Sequence, residues 1–228
     1  MNKIQKQIIE TLKVKSETKQ LVYDNTLKAF TVLKEELQNT VNDINAKLKN
    51  CDKRVLLEFT DRGDFEAEIK VAGDILVFSM HTNIFEFENS HNIWKTTYVK
   101  KNRMNSYSGV INIYNFLSDS FKYNRLDDLG YLIGRLFINK DDFFFVEGKH
   151  QMAFLQNDFG NIKIDQEHIK QIINSAIQYS LEFDLLVPPY QHVEQVTVSQ
   201  MKNSINNSKT RTGKRLGFQF YSDDKEIT

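Results

Sequence analysis

The sequence is short of punctuation and of any dominant charge. It has one cysteine, Cys51, two prolines and nine glycines in 228 residues. A single cysteine excludes an intramolecular disulfide and fits a reducing compartment. Thirty Lys and Arg residues face thirty Asp and Glu residues, so the formal net charge is zero. That balance removes the compositional argument for a nucleic-acid binder, whose domain is typically basic, although it leaves room for a local patch. No stretch approaches the ~20 consecutive apolar residues of a membrane span. The N-terminus MNKIQKQIIE has no apolar run of the signal-peptide type. These absences point to a cytoplasmic protein with no membrane segment.

Chemical motifs are scarce as well. The five histidines, His81, His91, His150, His168 and His192, contain no pair at the helical spacing of H-E-x-x-H. No G-x-S-x-G is present. Gly213-Lys214-Arg215 lacks the first glycine and the Ser/Thr of a phosphate-binding loop. No metal and no cofactor is therefore expected. Glu86, Glu88 and His91 are the closest approach to a ligand cluster; in sequence they read more simply as a hairpin with its following turn.

What is present is a strong hydrophobic pattern. Residues 1 to 50 hold no proline and no glycine. Ile4, Ile8, Ile9 and Leu12 form a short helical stripe. Leu27, Phe30, Leu33, Leu37, Val41, Ile44 and Leu48 form a longer one, at the three- and four-residue spacing of a helix face. Its heptad is imperfect, because Lys34 falls at a core position and the flanking positions carry little charge. Two readings follow: a self-associating helix using Leu27, Phe30, Leu37, Val41, Ile44 and Leu48, or a helix lying on its own domain.

After Asn50 the period changes to two. Val55, Leu57 and Phe59 alternate with Arg54, Leu56, Glu58 and Thr60, and Phe65, Ala67, Ile69 and Val71 with Glu66, Glu68 and Lys70. ILVFSM (75–80) is apolar on both faces and reads as a central strand, and IFEFE (84–88) as a further one. IWKTTYVK (93–100) reads as another strand. VINIYNFL (110–117) is strand or helix. Asn124 as a cap, followed by Leu126, Leu129, Leu132, Ile133 and Leu136, predicts a short helix. FFFVEGKHQMAF (143–154) predicts a strand or a hairpin bent at Gly148. Asp165 caps an amphipathic helix that the pair Pro188-Pro189 ends, and a further helix is expected at about 193–206. The expected class is α+β: an antiparallel sheet flanked by a long N-terminal helical segment and a C-terminal amphipathic helix. Residues 1–50 are expected to form a helical, oligomerisation segment, 51–220 the α+β domain and 221–228 a disordered acidic tail.

Within the 143–154 strand, alternation puts Phe143, Phe145, Glu147 and Lys149 on one face. An acid and a lysine two apart on a strand resemble the end of the signature of nucleases of the restriction-endonuclease-like fold. The resemblance covers three residues, Glu147-Gly148-Lys149. It implies a catalytic pair and a divalent metal shared with an upstream carboxylate, for which Asp127, Asp128, Asp141 and Asp142 are available. The simpler account is a strand leaving the core and pairing its charges at the edge. A third functional reading comes from KTRTGKR (209–215). Lys209, Arg211, Lys214 and Arg215 could contact nucleic acid or another anion, with Lys95, Lys100, Lys101 and Arg103 as a second basic group. No catalytic constellation is complete, so the leading expectation is a non-enzymatic interaction or regulatory protein. Its partner would be another protein or a second copy of the chain.

Overall fold

A computed structural model describes residues 2–149, 152, 158–184, 187 and 189–202. The chain opens with a continuous helix in three parts. Helix α1 (Lys3–Thr11) starts on a capping box, in which Asn2 accepts from the Ile4 N–H and Gln5 reaches back to the Asn2 N–H. Leu12–Ser16 is wound as a π-helical segment, and α2 (Glu17–Lys47) continues from it. Strands β1 (Glu58–Asp61), β2 (Glu66–Val71), β3 (Asp74–Met80), β4 (Phe85–Glu86), β5 (Tyr107–Leu117), β6 (Tyr131–Asn139) and β7 (Phe144–Gly148) build one antiparallel sheet. Its order is β1-β2-β3-β5-β6-β7, with β4 beside the start of β5. The short helices α3 (Thr97–Lys101) and α4 (Ser118–Lys122) flank β5. Helix α5 (Gln166–Glu182) follows the sheet, and α6 (Tyr190–Val193) is a single turn. This is the expected α+β class.

One face of the sheet carries the main core. Ile69, Leu76, Phe78, Ile111, Ile113, Leu136, Ile138, Phe144 and Val146 meet Phe30, Leu33, Leu37 and Val41 of α2 and Ile169, Ile172, Ile173 and Ala176 of α5. Each such side chain contributes roughly 1.5–3 kcal/mol by leaving water. Two asparagines fix the helix against the sheet. Asn25 donates to the carbonyls of Asn139 (3.2 Å) and Lys140 (2.8 Å). Asn45 both donates to the Leu57 carbonyl (2.8 Å) and accepts from the Leu57 N–H (3.0 Å). At the start of α5, Asp165 caps the helix by accepting from the His168 N–H, and Gln166 donates to the buried Glu36 of α2 at 2.6 Å.

This packing bears on the two readings of the long stripe. Phe30, Leu37 and Val41 are buried in the chain's own core, and Leu27 and Ile44 pack against it. Leu48 is half-buried at the helix end. A side chain packed on its own sheet has that much less apolar surface to offer a second copy, so the burial of Phe30, Leu37 and Val41 favours the reading of a helix lying on its own domain.

Several local expectations are also corrected. Residues 93–100 are not a strand but two helical turns, because His91 and Thr96 cap them by accepting from the N–H groups of Ile93 and Val99. Caps outweigh the β-branched composition here. The helix expected after Asn124 does not form. Asn124 takes a left-handed φ of 50° rather than the extended geometry of a cap, Leu126 and Leu129 are exposed, and Ile133 and Leu136 lie in β6. Pairing on both sides, with β5 and β7, overrides the helical spacing. The strand at 84–88 shrinks to Phe85–Glu86. Strand β7 runs through Gly148, which pairs with Gly134, so the chain turns beyond that residue rather than at it. Helix α5 ends at Glu182 rather than near the prolines, where Phe183 turns extended and packs near Tyr131 and Tyr179. Of the helix expected at 193–206, residues 198–202 are helical, 194–197 are not, and 203–206 lie outside the described residues.

Candidate functional site

The second face of the sheet is only partly covered. Segment 87–106 crosses it near β6 and β7, and Ile93, Val99 and Phe159 form a small second core there with Phe87, Trp94, Tyr98, Phe143 and Phe145. Between residues 81–91 and strands β5, β6 and β7 this covering leaves a cleft of about 610 Å³. Strand alternation supplies its floor. Ser108, Val110 and Asn112 project from β5, Arg135 and Phe137 from β6, and Glu147 from β7. His81, Phe85, Glu86, Phe87, Glu88, Ser90 and His91 form the opposite wall.

Aromatic rings line much of the cleft. Phe87 stacks on His91 with centroids 4.6 Å apart and sits 4.9 Å from Phe137, which in turn stacks on Phe145 at 5.1 Å. Phe85 meets the edge of His81 at 4.7 Å. The Arg135 guanidinium lies 5.4 Å from the centre of the Phe137 ring.

The polar groups fall into two sets. In the first, Arg135 and Glu147 are register partners across β6 and β7 and form an ion pair. The other Glu147 oxygen meets His91 Nε2 at 3.2 Å. His91 Nδ1 accepts from the Ile93 N–H at 3.2 Å, so the ring proton sits on Nε2 and is donated to Glu147. Both ring nitrogens of His91 and both oxygens of Glu147 are thus engaged. Glu86 belongs to the same set: Arg103 Nε donates to it at 2.8 Å and holds its carboxyl below the usual range.

The second set has open valences. His81 Nδ1 accepts from the Asn83 N–H at 3.0 Å, which leaves an Nε2–H to donate. Glu88 is exposed and its carboxylate has no ion-pair or hydrogen-bond partner among the described residues, although its backbone carbonyl accepts from the Trp94 indole N–H at 2.8 Å. Ser108 is fully buried, and its hydroxyl has no hydrogen-bond partner among the described residues. A buried hydroxyl without a partner costs about 1–3 kcal/mol, so such a group in a cleft wall marks a place where a ligand atom would be welcome.

Of the residues singled out in sequence, Glu147 lies on this cleft. Lys149 follows it at the exposed end of the strand, its N–H donating to the Ile133 carbonyl at 3.0 Å. The acids offered as upstream carboxylates sit elsewhere. Asp128 accepts from Ser120 at 2.6 Å and pairs with Arg125, and Asp141 is held by Lys140 and Tyr98. Among the described residues no three His, Cys, Asp or Glu side chains are placed to hold a metal ion. Glu86, Glu88 and His91, noted as a group in sequence, do converge on the cleft. Lys95, Lys100 and Lys101 are exposed on the helical turns, while Arg103 is committed to Glu86. Lys209, Arg211, Lys214 and Arg215 lie outside the described residues. Sequence reasoning missed Arg135 and Ser108. The signal for Arg135 is its register opposite Glu147, readable only once β6 is known to be a strand. No helix among the described residues is long and apolar enough to cross a membrane.

Comparison with known proteins adds no relative: no family model, no curated protein and no solved structure matches the chain.

Proposed function

We propose that the chain is a non-enzymatic binding protein that holds a small ligand in the cleft between residues 81–91 and strands β5–β7. The observation that carries this reading is Ser108, a fully buried hydroxyl with no partner in the wall of a ring-lined cleft. The engaged state of His91 and Glu147 favours binding over catalysis, since a general base needs a free lone pair facing its substrate. Trp94, the single tryptophan, hydrogen-bonds to the Glu88 carbonyl behind the cleft, so its fluorescence reports on occupancy. A fragment screen read by Trp94 emission and by thermal shift tests the proposal. Hits are expected, and Val110→Phe, which places extra volume in the cleft, is expected to weaken them by more than about tenfold (~1.4 kcal/mol). The reading fails if no fragment perturbs Trp94, or if Val110→Phe binds every hit as well as the parent chain.

A second reading, self-association, is favoured by a different observation. Helix α1 has no buried residue, and Ile4, Ile8 and Leu12 are 61%, 52% and 57% exposed. This free end of the long helix leaves its apolar stripe in water unless something covers it. Two copies pairing their α1 helices would cover it. Sedimentation of the full chain and of a chain beginning at Glu17 should give a dimer and a monomer respectively. Two monomers at micromolar concentration would remove this role.

A further inference from the structure

The charge of the cleft narrows what it can hold. Glu86 is balanced by Arg103, and Glu147 by Arg135. Glu88 is balanced by nothing among the described residues, which leaves one uncompensated negative charge on the solvent-exposed part of the cleft lining. Phe85 and Phe87 line the same wall, and the face of an aromatic ring carries the negative side of its quadrupole. The guanidinium that would receive an anion, Arg135, is already paired with Glu147 and seated over Phe137. An anionic ligand would therefore have to displace an existing ion pair and approach a bare carboxylate. A cation meets neither obstacle.

Resting on the reading that the cleft is a ligand site, we infer that its ligand is a small organic cation: an ammonium or guanidinium group on an apolar body. The charged head pairs with Glu88. The body lies against Phe85 and Phe87. A polar atom on the body reaches the Ser108 hydroxyl, which can donate or accept. Such a cation makes a charge-assisted contact, ring contacts and one hydrogen bond, and each fills a valence that the free protein leaves open.

The test uses the full chain and three probes that share a phenyl body and a short linker: phenethylamine, phenethyl alcohol and hydrocinnamate. Binding is followed by Trp94 fluorescence at fixed ionic strength. Phenethylamine is expected to bind at least about tenfold more tightly than hydrocinnamate, with the alcohol between them. Glu88→Gln should remove most of that preference while leaving the alcohol unaffected, and Glu35→Gln, an exposed change on α2, should leave all three unchanged. Equal binding of the amine and the acid, or no effect of Glu88→Gln, overturns the ligand class while the cleft remains a binding site. If none of the three probes binds but neutral or acidic fragments do, the cation inference again fails alone. Silence from every fragment removes both proposals.

Discussion

In a chain beginning at Glu17, replacing Phe30 with alanine is expected to lower the unfolding free energy by about 3–5 kcal/mol, with a midpoint that does not depend on protein concentration. Phe30 is completely buried in α2, in the cluster that also holds Leu76, Phe78 and Ile111 of the sheet. Truncation removes the ring's transfer free energy and leaves a void that β3 and β5 are poorly able to close, because they are held in register on both sides. Concentration independence is the informative half. If Phe30 belonged to a seam between copies, unfolding would be coupled to dissociation and the midpoint would rise with protein concentration. Urea unfolding at two concentrations about a hundredfold apart distinguishes the cases. Leu21→Ala gives the contrast: Leu21 is 48% exposed on α2, so its loss should leave stability within about 0.5 kcal/mol. A concentration-dependent midpoint for the chain beginning at Glu17 that Phe30→Ala abolishes would return the long stripe to an intermolecular role.

The same helix shows why part of the fold was legible in sequence and part was not. The stripe from Leu27 to Leu48 announced a helix face through its spacing. The spacing could not say whether that face met its own sheet, since an amphipathic helix has the same period in either setting. The hairpin of β2 and β3 was clear because the alternation at 65–71 and the apolar run at 75–80 are separated only by a short stretch holding Gly73 and Asp74, a turn signal. The region from Asn124 to Leu136 misled because its apolar residues fit both periods. Pairing with strands distant in sequence decided it, and no local feature encodes that pairing. The error carried over to the site. With β6 read as a helix, Arg135 could not be placed opposite Glu147, and the Glu147-Gly148-Lys149 run remained a tripeptide without a neighbour. His91 reaches Glu147 across fifty-six positions of chain, through a segment that sequence read as a strand. Ser108 left no trace, because an unpartnered hydroxyl is a property of three-dimensional surroundings only.

Gly109→Val should produce the other large loss, about 3 kcal/mol or more, and should remove the cleft with it. Gly109 lies on the core face of β5 where α2 crosses most closely. A Cβ there would stand 2.1 Å from Thr26 Oγ1, 2.8 Å from its Cβ and 2.9 Å from its Cγ2. Thr26 cannot swing aside cheaply, being fully buried with its hydroxyl donating to the Val22 carbonyl at 2.7 Å. Nor can the helix slide, because Asn25 is tied to the end of β6 and Asn45 to the residue before β1. Strand β5 must therefore move. Ser108, the preceding residue on its opposite face, moves too, so the packing fault on one side of the sheet reaches the cleft on the other. The smaller change Gly109→Ala permits a coupling test. Alone it is expected to cost about 1–3 kcal/mol. Combined with Thr26→Ala, which removes the two γ atoms but not the Cβ, the total should fall short of the sum of the single losses by about 1–2 kcal/mol. Urea midpoints measure the energies, and Trp94 fluorescence with a cleft ligand follows the site. Strict additivity of the two substitutions would mean that Thr26 is not what confines position 109 to glycine.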